Sequence, residues 1–187
     1  MDAFGHLSVL ISIILGLAIT QLLQGFRGIV LARKRVHMYW VPVLWAAIVL
    51  VLCVQAWWAM FGLRQLREWT FVGFAVVLLQ VLAMYMQAAF ILPDFTSDAR
   101  IDLRLHYYRH LRWFFGSGVL VLLVSLAKDA VLSGHLPEAL NVGFHMVLGS
   151  LFIVAALWPN SRFQKGTAIF SAIAVTLYIV LLFARLR

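Results

Sequence analysis

Six long apolar runs, separated by short polar connections, constrain this chain more than any other feature. Spanning a bilayer core of about 30 Å takes about 20 helical residues, and each run is close to that length or longer. Inside lipid the backbone polar groups of an isolated segment are satisfied only in an α-helix. We therefore predict an all-α, polytopic transmembrane helix bundle, formed by a single integral-membrane domain. The predicted spans are residues 7–32, 39–63, 69–92, 113–133, 139–158 and 167–184.

The composition agrees with a protein that has lipid as its main solvent. The chain is 64% hydrophobic and only 12% charged, whereas a soluble domain is about 45–50% apolar and about 25% charged. The formal net charge is +8. However, the basic residues form short patches between apolar runs, with no nucleic-acid motif. We therefore expect membrane lipid as a partner and no nucleic acid.

The distribution of Lys and Arg predicts the orientation. If both termini lie outside, ten of the 15 Lys and Arg residues fall on the cytoplasmic side and five on the other. Cytoplasmic loops carry the excess of basic residues in membrane proteins. We therefore predict that both the N- and the C-terminus lie on the outer side of the membrane.

The first run carries small or polar residues at every fourth position. They are Ser8, Ser12, Gly16, Thr20, Gln24 and Gly28, and Gln21 lies beside them. Small residues at this spacing let helix backbones approach closely, and polar ones can hydrogen-bond across the contact. Packing against another helix, within or between subunits, is the preferred interpretation. The alternative is a pore or substrate lining formed by Thr20, Gln21 and Gln24.

Two amides in the third run are candidates for the same lining. Gln80 and Gln87 are seven residues apart, which places them on one face of a helix. Amides can replace part of the hydration shell of an ion. The simpler interpretation is that they form structural hydrogen bonds between helices.

The outer part of the fourth and fifth spans holds the ionisable cluster within the spans. Glu138, Asn141 and His145 share one helix face, and Lys128 and Asp129 reach a similar depth if the two helices are antiparallel neighbours. Intramembrane ionisable groups are costly and suggest a functional site, and histidine exchanges a proton near neutral pH. The candidates for a proton-linked site or gate are therefore Asp129, Glu138, Asn141 and His145. The alternative is a Lys128–Asp129 pair that extends to the surface beside a hydrogen-bonded His145.

The polar segment between spans three and four, residues 93–112, has two interpretations. Strict polar and apolar alternation over residues 100–107 is typical of a strand. Because the other loops are short, the partner of such a strand would have to come from another subunit. We prefer the second interpretation, a helix that leads into span four and is capped by Ser97 or Asp98.

In the helical interpretation, three potential metal ligands share one face. They are Asp102, His106 and His110, with His37 predicted on the same side of the membrane. Two histidines four residues apart can chelate a metal. However, no Glu follows His106, so the zinc-protease pattern is absent. We expect no metal and no cofactor, and these three residues remain weak candidates.

The opening sequence FGHLSVLISIILGLAITQLL is followed by a basic loop and the pair Trp57–Trp58. These features resemble a family of small, six-span proteobacterial inner-membrane proteins over about the first 110 residues. The resemblance implies a place in the bacterial inner membrane, with both termini then in the periplasm, and it implies no particular activity. The size and layout are also similar to those of a family of six-span bacterial potassium channels, which form tetramers. Those channels carry Phe-Ser-Asp in the first helix. Here Phe4 is followed by Gly5, so the similarity is one of layout alone.

Two functional hypotheses follow from these features. The first is a homo-oligomeric ion channel or small-solute transporter. Because short loops leave little protein for a cavity within one subunit, its path is expected between subunits or at their centre. The second is a non-catalytic membrane scaffold or sensor subunit, whose protein partner binds the cytoplasmic segment 93–112 and the basic first loop. We predict no enzyme, because the sequence contains no Gly-x-Ser-x-Gly elbow and no P-loop.

Overall fold

The computed structural model describes residues 3–64, 69–95, 100–134 and 138–185. Within these ranges, six long helices and one pair of short strands form. In chain order, the elements are α1 (Ala3–Leu31), β1 (Val36–His37), α2 (Trp40–Leu63), α3 (Phe71–Ile91), β2 (Ile101–Asp102), α4 (Leu103–Ser133), α5 (Ala139–Leu157) and α6 (Ser161–Arg185). All six helices are long and apolar enough to cross a membrane. The predicted all-α bundle of about six spans is therefore confirmed.

The apolar runs locate most helix ends well. Helices α2, α3 and α5 begin and end within two residues of the predicted spans. Local signals set the ends. The Thr70 hydroxyl accepts a hydrogen bond from the Gly73 N–H at 3.1 Å, and this caps the start of α3. Helix α4 ends at Ser133 and is followed by Gly134, whose φ of 72° is left-handed and favours glycine.

Helix α4 is longer than the predicted fourth span and begins at Leu103 rather than at residue 113. Its 31 residues extend about 46 Å at 1.5 Å per residue, which exceeds the bilayer core by about 16 Å. The first ten residues carry three of the four arginines of the polar segment, namely Arg104, Arg109 and Arg112. The predicted span thus begins where the helix becomes apolar, whereas the helix itself begins earlier.

Asp102 caps α4, so the predicted cap at Ser97 or Asp98 is wrong; those two residues lie outside the described ranges. The Asp102 Oδ1 atom accepts from the N–H groups of Arg104 at 2.8 Å and Leu105 at 3.0 Å. The hydrogen bond from Leu105 is the main cause that lowers the pKa of the Asp102 carboxyl. The charged cap is therefore retained at neutral pH and is lost only as the pH falls through that lowered pKa.

Residues 100–107 combine the two predicted structures. Ile101–Asp102 forms a strand that pairs in parallel with Val36–His37, and the Ile101 N–H donates to the Arg35 carbonyl at 3.1 Å. The expectation that the partner strand comes from another subunit is wrong, because the first connection of the same chain supplies it. The pairing joins the first and third connections at one end of the bundle. We call the end of the bundle that holds Val36–His37 and Ile101–Asp102 the basic end. The opposite end, at which α1 begins and α6 ends, is called the terminal end.

Helix α6 begins at Ser161, six residues before the predicted sixth span. The Asn160 side chain accepts from the N–H groups of Arg162 at 2.9 Å and Phe163 at 3.3 Å. Asparagine is among the strongest N-cap residues. The polar first turns of α6 therefore belong to the helix.

The helices pack so that α1 lies outside the other five. Helix α3 packs against α4, α1 and α2, while α5 packs on α4 and α6 packs on α2 and α5. A Cβ atom at Gly25 would lie 2.6 Å from the Leu92 Cδ1 atom, so glycine lets the end of α3 approach α1. The other five helices, α2 to α6, surround a common space.

Candidate functional site

A cavity of about 320 Å³ lies between helices α2 to α6. This volume is about ten times the ~30 Å³ that a water molecule occupies in the liquid and falls at the lower end of the range for ligand pockets. Most of the wall is apolar, but each of the five helices contributes at least one polar side chain. Amide and hydroxyl side chains in the wall are those of Gln55, Gln80, Gln87, Ser125, Asn141, Ser171 and Tyr178.

The terminal end of the cavity contains a lysine, a carboxylate and an amide. The Lys128 Nζ atom lies 3.9 Å from Asp129 Oδ1, and the Asn141 side chain donates to Asp129 Oδ2 at 3.4 Å. Asp129 is four residues from the end of α4, and Asn141 is two residues after the start of α5. Normal N–H···O hydrogen bonds measure about 2.7–3.2 Å, so both contacts are long. The ammonium and the carboxylate therefore retain most of their capacity for a further partner.

His145 lies one turn deeper on α5 and is 9% exposed. Its Nδ1 atom is 2.9 Å from the Asn141 carbonyl oxygen. Because a carbonyl only accepts, Nδ1 carries a proton and donates to this oxygen. The ring packs beside Phe144, which stacks on Tyr178 with centroids 5.1 Å apart. The backbone and these aromatic rings thus fix the orientation of His145 in the wall.

Three buried polar atoms of lining residues have no hydrogen-bond partner among the described residues. They are Trp45 Nε1, Asn141 Oδ1 and Ser171 Oγ. Leaving such a group unsatisfied costs about 1–3 kcal/mol, and buried polar atoms in native structures are usually bonded. Because these atoms have almost no accessible surface, a solute in the cavity reaches them only if their side chains move.

Four packed aromatic rings close the cavity at its basic end. The Trp45 ring lies 5.3 Å, 5.4 Å and 5.6 Å from the rings of Phe114, Phe115 and Phe152, all at steep interplanar angles. Trp45 and Phe152 also line the cavity. These residues are at most 7% exposed, whereas the Lys128 and Asp129 side chains at the terminal end are 22% and 33% exposed. We call the four rings the aromatic floor.

Gly118 allows the floor and the polar wall to meet. A Cβ atom at this position would lie 2.8 Å from both Gln87 Nε2 and Phe152 Cδ2. Glycine therefore lets α3 and α5 approach the same point of α4, and Gln87 rests directly against the floor. The polar wall thus extends from Asp129 at the terminal end to Gln87 near the basic end.

A second polar network lies beyond the floor. The Tyr107 hydroxyl donates to Gln164 Oε1 at 2.7 Å. The Gln164 Nε2 atom donates to the carbonyl oxygens of Ala155 at 2.8 Å and Trp158 at 2.9 Å. Gln164 is fully buried, and it therefore ties α4 to both the end of α5 and the start of α6.

The structure brings together five of the nine residues predicted to line a pore or form a proton-linked site. Those in the cavity wall are Gln80, Gln87, Asp129, Asn141 and His145. Glu138 is exposed and precedes the first turn of α5, outside this wall. The predicted roles of these side chains in a lining or a proton-linked gate remain predictions.

The polar residues of α1 lie away from the cavity. Thr20 and Gln24 are exposed on the outer face of the bundle, and Gln21 donates to the Asp94 carboxylate at 3.4 Å. At Gly28 the stripe contacts Phe95 of the same chain. Near the other end of the stripe, Ser12 Oγ accepts from Trp57 Nε1 at 3.3 Å. The stripe thus contacts the same chain at Ser12 and at Gly28, and contacts between subunits along its exposed part remain a prediction.

The three candidate metal ligands, Asp102, His106 and His110, contact other groups of the protein. His106 Nε2 lies 3.2 Å from the Phe90 carbonyl oxygen and His110 Nδ1 lies 3.0 Å from the His106 carbonyl oxygen. Asp102 caps α4 and faces His37 at 3.6 Å. No group of three or more His, Cys, Asp or Glu side chains suited to a metal occurs in the described part of the chain.

Sequence reasoning missed Ser171 and Tyr178 in the cavity wall and Gln164 beyond the floor. A signal for the first two exists, because Ser171, Val175 and Tyr178 recur at helical spacing and all three line the cavity. Gln164 lies between the predicted fifth and sixth spans. The signal that places Gln164 in the first turn of α6 is Asn160, which is a typical helix cap.

No protein-family profile matches the chain, and neither a curated protein nor a solved structure is significantly similar to it. The class of protein is therefore defined by the fold. Six apolar helices of membrane-spanning length identify a multi-pass integral membrane protein.

Proposed function

We propose that the protein is a small-solute transporter with its binding site in the cavity of each subunit. The observation that carries this proposal is the polar wall, to which five helices contribute inside an otherwise apolar bundle. Polar groups placed at such depth are costly and mark solute or ion pathways. The sequence predicts that short loops leave little protein for a cavity within one subunit, whereas a cavity of about 320 Å³ is present.

The aromatic floor favours a carrier over an open channel. A channel needs a continuous polar path, whereas Trp45 and Phe115 seal the basic end of this cavity with almost no exposed surface. A carrier exposes its site to one side at a time. Movement of the floor rings apart, together with closure at the terminal end, would deliver a bound solute to the basic end.

Solute uptake by reconstituted liposomes tests this function without assuming a substrate. Liposomes containing the protein are incubated with a pooled mixture of amino acids, amines, carboxylates and sugars, and their contents are measured by mass spectrometry. At least one solute is expected to accumulate above the level in protein-free liposomes. Ser125→Trp places an indole in the cavity and is expected to reduce this uptake to background.

A matched variant controls for the bulk of the new side chain. Leu123 lies two residues away on the same helix and is exposed on the outer face, so Leu123→Trp should retain uptake. Absence of uptake of every pooled solute, or equal uptake by the Ser125 and Leu123 variants, would count against a transporter of this design.

We also propose that the protein is a homo-oligomer with contacts along the exposed part of the α1 stripe. An amide that faces lipid gains a partner when it meets a second helix, and such bonds contribute about 1 kcal/mol. Gln24→Leu is therefore expected to weaken association about fivefold, with Leu23→Ala on the same exposed surface as the control. Particle mass in mild detergent over a dilution series measures this; a monomer at every concentration would contradict it.

A non-catalytic scaffold or sensor subunit is the second candidate, because the structure joins the two segments predicted to bind a protein partner. The strand pair Val36–His37 and Ile101–Asp102 links the basic first loop to the segment 93–112. Arg104 at this surface already packs over the rings of Tyr39 and Tyr108 at 5.9 Å. Recovery of a stoichiometric partner with a protein that transports nothing would favour this candidate.

A further inference from the structure

We propose that the cavity selects small zwitterions, which carry one ammonium group and one carboxylate on an apolar body. The inference rests on the proposed function and names the substrate class for the same site. It comes from the juxtaposition of Lys128 and Asp129 at the terminal end of the cavity, directly above an apolar wall.

The two ions of the site have spare bonding capacity. Their closest N–O distance is 3.9 Å, which is longer than a hydrogen bond. Lys128 can offer three donors and Asp129 about four acceptor positions, whereas among the described residues only the Asn141 side chain, at 3.4 Å from Asp129, hydrogen-bonds to either side chain. A ligand carboxylate can therefore bind Lys128 while a ligand ammonium binds Asp129.

Further acceptor groups belong to residues of the same cavity wall. Asn141 Oδ1 is buried without a partner among the described residues and accepts from a ligand only if the amide rotates. His145 Nε2 accepts when the ring is neutral, because Nδ1 donates to the Asn141 carbonyl. The Asp129 carboxylate is the main acceptor for a ligand ammonium group, and these two side chains supplement it.

The balance of charge discriminates against singly charged solutes. A cation gains from Asp129 but is repelled by Lys128, and an anion meets the reverse combination. Because the site is only partly exposed, these charges are poorly screened and the repulsion is strong. A zwitterion makes both favourable contacts and adds no net charge to the interior of the membrane.

The rest of the wall fits an aliphatic side chain. Val49, Leu148 and Phe152 line the cavity below the ions, and the volume of about 320 Å³ accommodates a molecule of the size of leucine. We therefore take leucine as the probe, with two matched analogues. Leucinamide lacks the carboxylate and is a cation, and 4-methylpentanoate lacks the ammonium group and is an anion.

The test is calorimetric titration of the full-length protein in lipid nanodiscs with these three compounds. Leucine is expected to bind at least about tenfold more tightly than either analogue, since each analogue lacks one charge-assisted contact. Lys128→Met should invert the preference toward leucinamide, and Asp129→Asn should invert it toward 4-methylpentanoate. A gain of affinity for an analogue cannot result from misfolding.

Two controls complete the design. Exchanging the ions in the double variant Lys128→Asp, Asp129→Lys should preserve the preference for leucine, because the site again offers one charge of each sign. Lys165→Met removes an exposed lysine at the basic end and should leave all three affinities unchanged. Equal binding of the three compounds, binding of none, or an equal loss for all three in the Lys128 and Asp129 variants overturns the inference.

The outcome is distinguishable from failure of the proposed function. If pooled uptake detects an amine, an acid or a sugar and no zwitterion, the protein transports solutes and the inference about the substrate class is wrong. If leucine binds as expected but no solute is taken up, the ligand class stands and transport is wrong.

Discussion

Gln164→Leu is expected to lower the free energy of unfolding by about 2–3 kcal/mol, at roughly 1 kcal/mol for each hydrogen bond left unmade. The substitution leaves the Tyr107 hydroxyl and the carbonyl oxygens of Ala155 and Trp158 without their partner. Gln164 is fully buried, so water does not readily replace the lost contacts. Unfolding in mixed micelles with increasing dodecyl sulfate measures the loss.

Tyr107→Phe provides the graded comparison for this network. It removes only the bond from the tyrosine hydroxyl to Gln164 and should cost about 1 kcal/mol or less. If the Gln164 and Tyr107 variants are equally stable, the two carbonyl contacts of Gln164 contribute nothing. The network would then not be what joins α5 to α6.

The spans could be predicted because lipid imposes a simple requirement on the chain. A helix that crosses the bilayer core must be apolar over about 20 residues, so α2, α3 and α5 follow directly from the apolar runs. The same rule does not apply to helix ends in water. The starts of α4 and α6 were misplaced because only their caps, Asp102 and Asn160, mark them.

Part of the cavity wall could be predicted for a related reason. Ionisable groups are rare inside spans, so Asp129 and His145 can be identified as candidate site residues from the sequence alone. The rotation of a helix about its own axis is harder to predict. In lipid a polar face turns toward the bundle only if a neighbouring helix offers it a hydrogen-bond partner, and the sequence does not say which helices are neighbours. For this reason Gln24 was a candidate for a lining but faces outward, while Ser171 was missed.

Trp45→Ala is expected to have the largest effect on stability, about 3–5 kcal/mol, the range for removing a buried tryptophan or phenylalanine ring. The indole contacts all three other rings of the aromatic floor within 5.6 Å and is 1% exposed. Its removal leaves a hole between the cavity and the basic end. Unfolding in mixed micelles measures the loss of stability, and Trp58→Ala, at an exposed position of the same helix, should cost much less.

The same substitution tests whether the floor is the barrier. With Cys53 replaced by alanine and Ser125→Cys introduced in the cavity wall, a charged, membrane-impermeant thiol reagent is added to the basic end of the protein in sealed vesicles. The intact floor should protect the new thiol, and Trp45→Ala should expose it to rapid labelling. A barrier of packed rings that loses its central indole can no longer exclude a small charged reagent. Equal rates of labelling in the protein with Trp45 and in the Trp45→Ala variant would therefore show that the floor does not close the cavity.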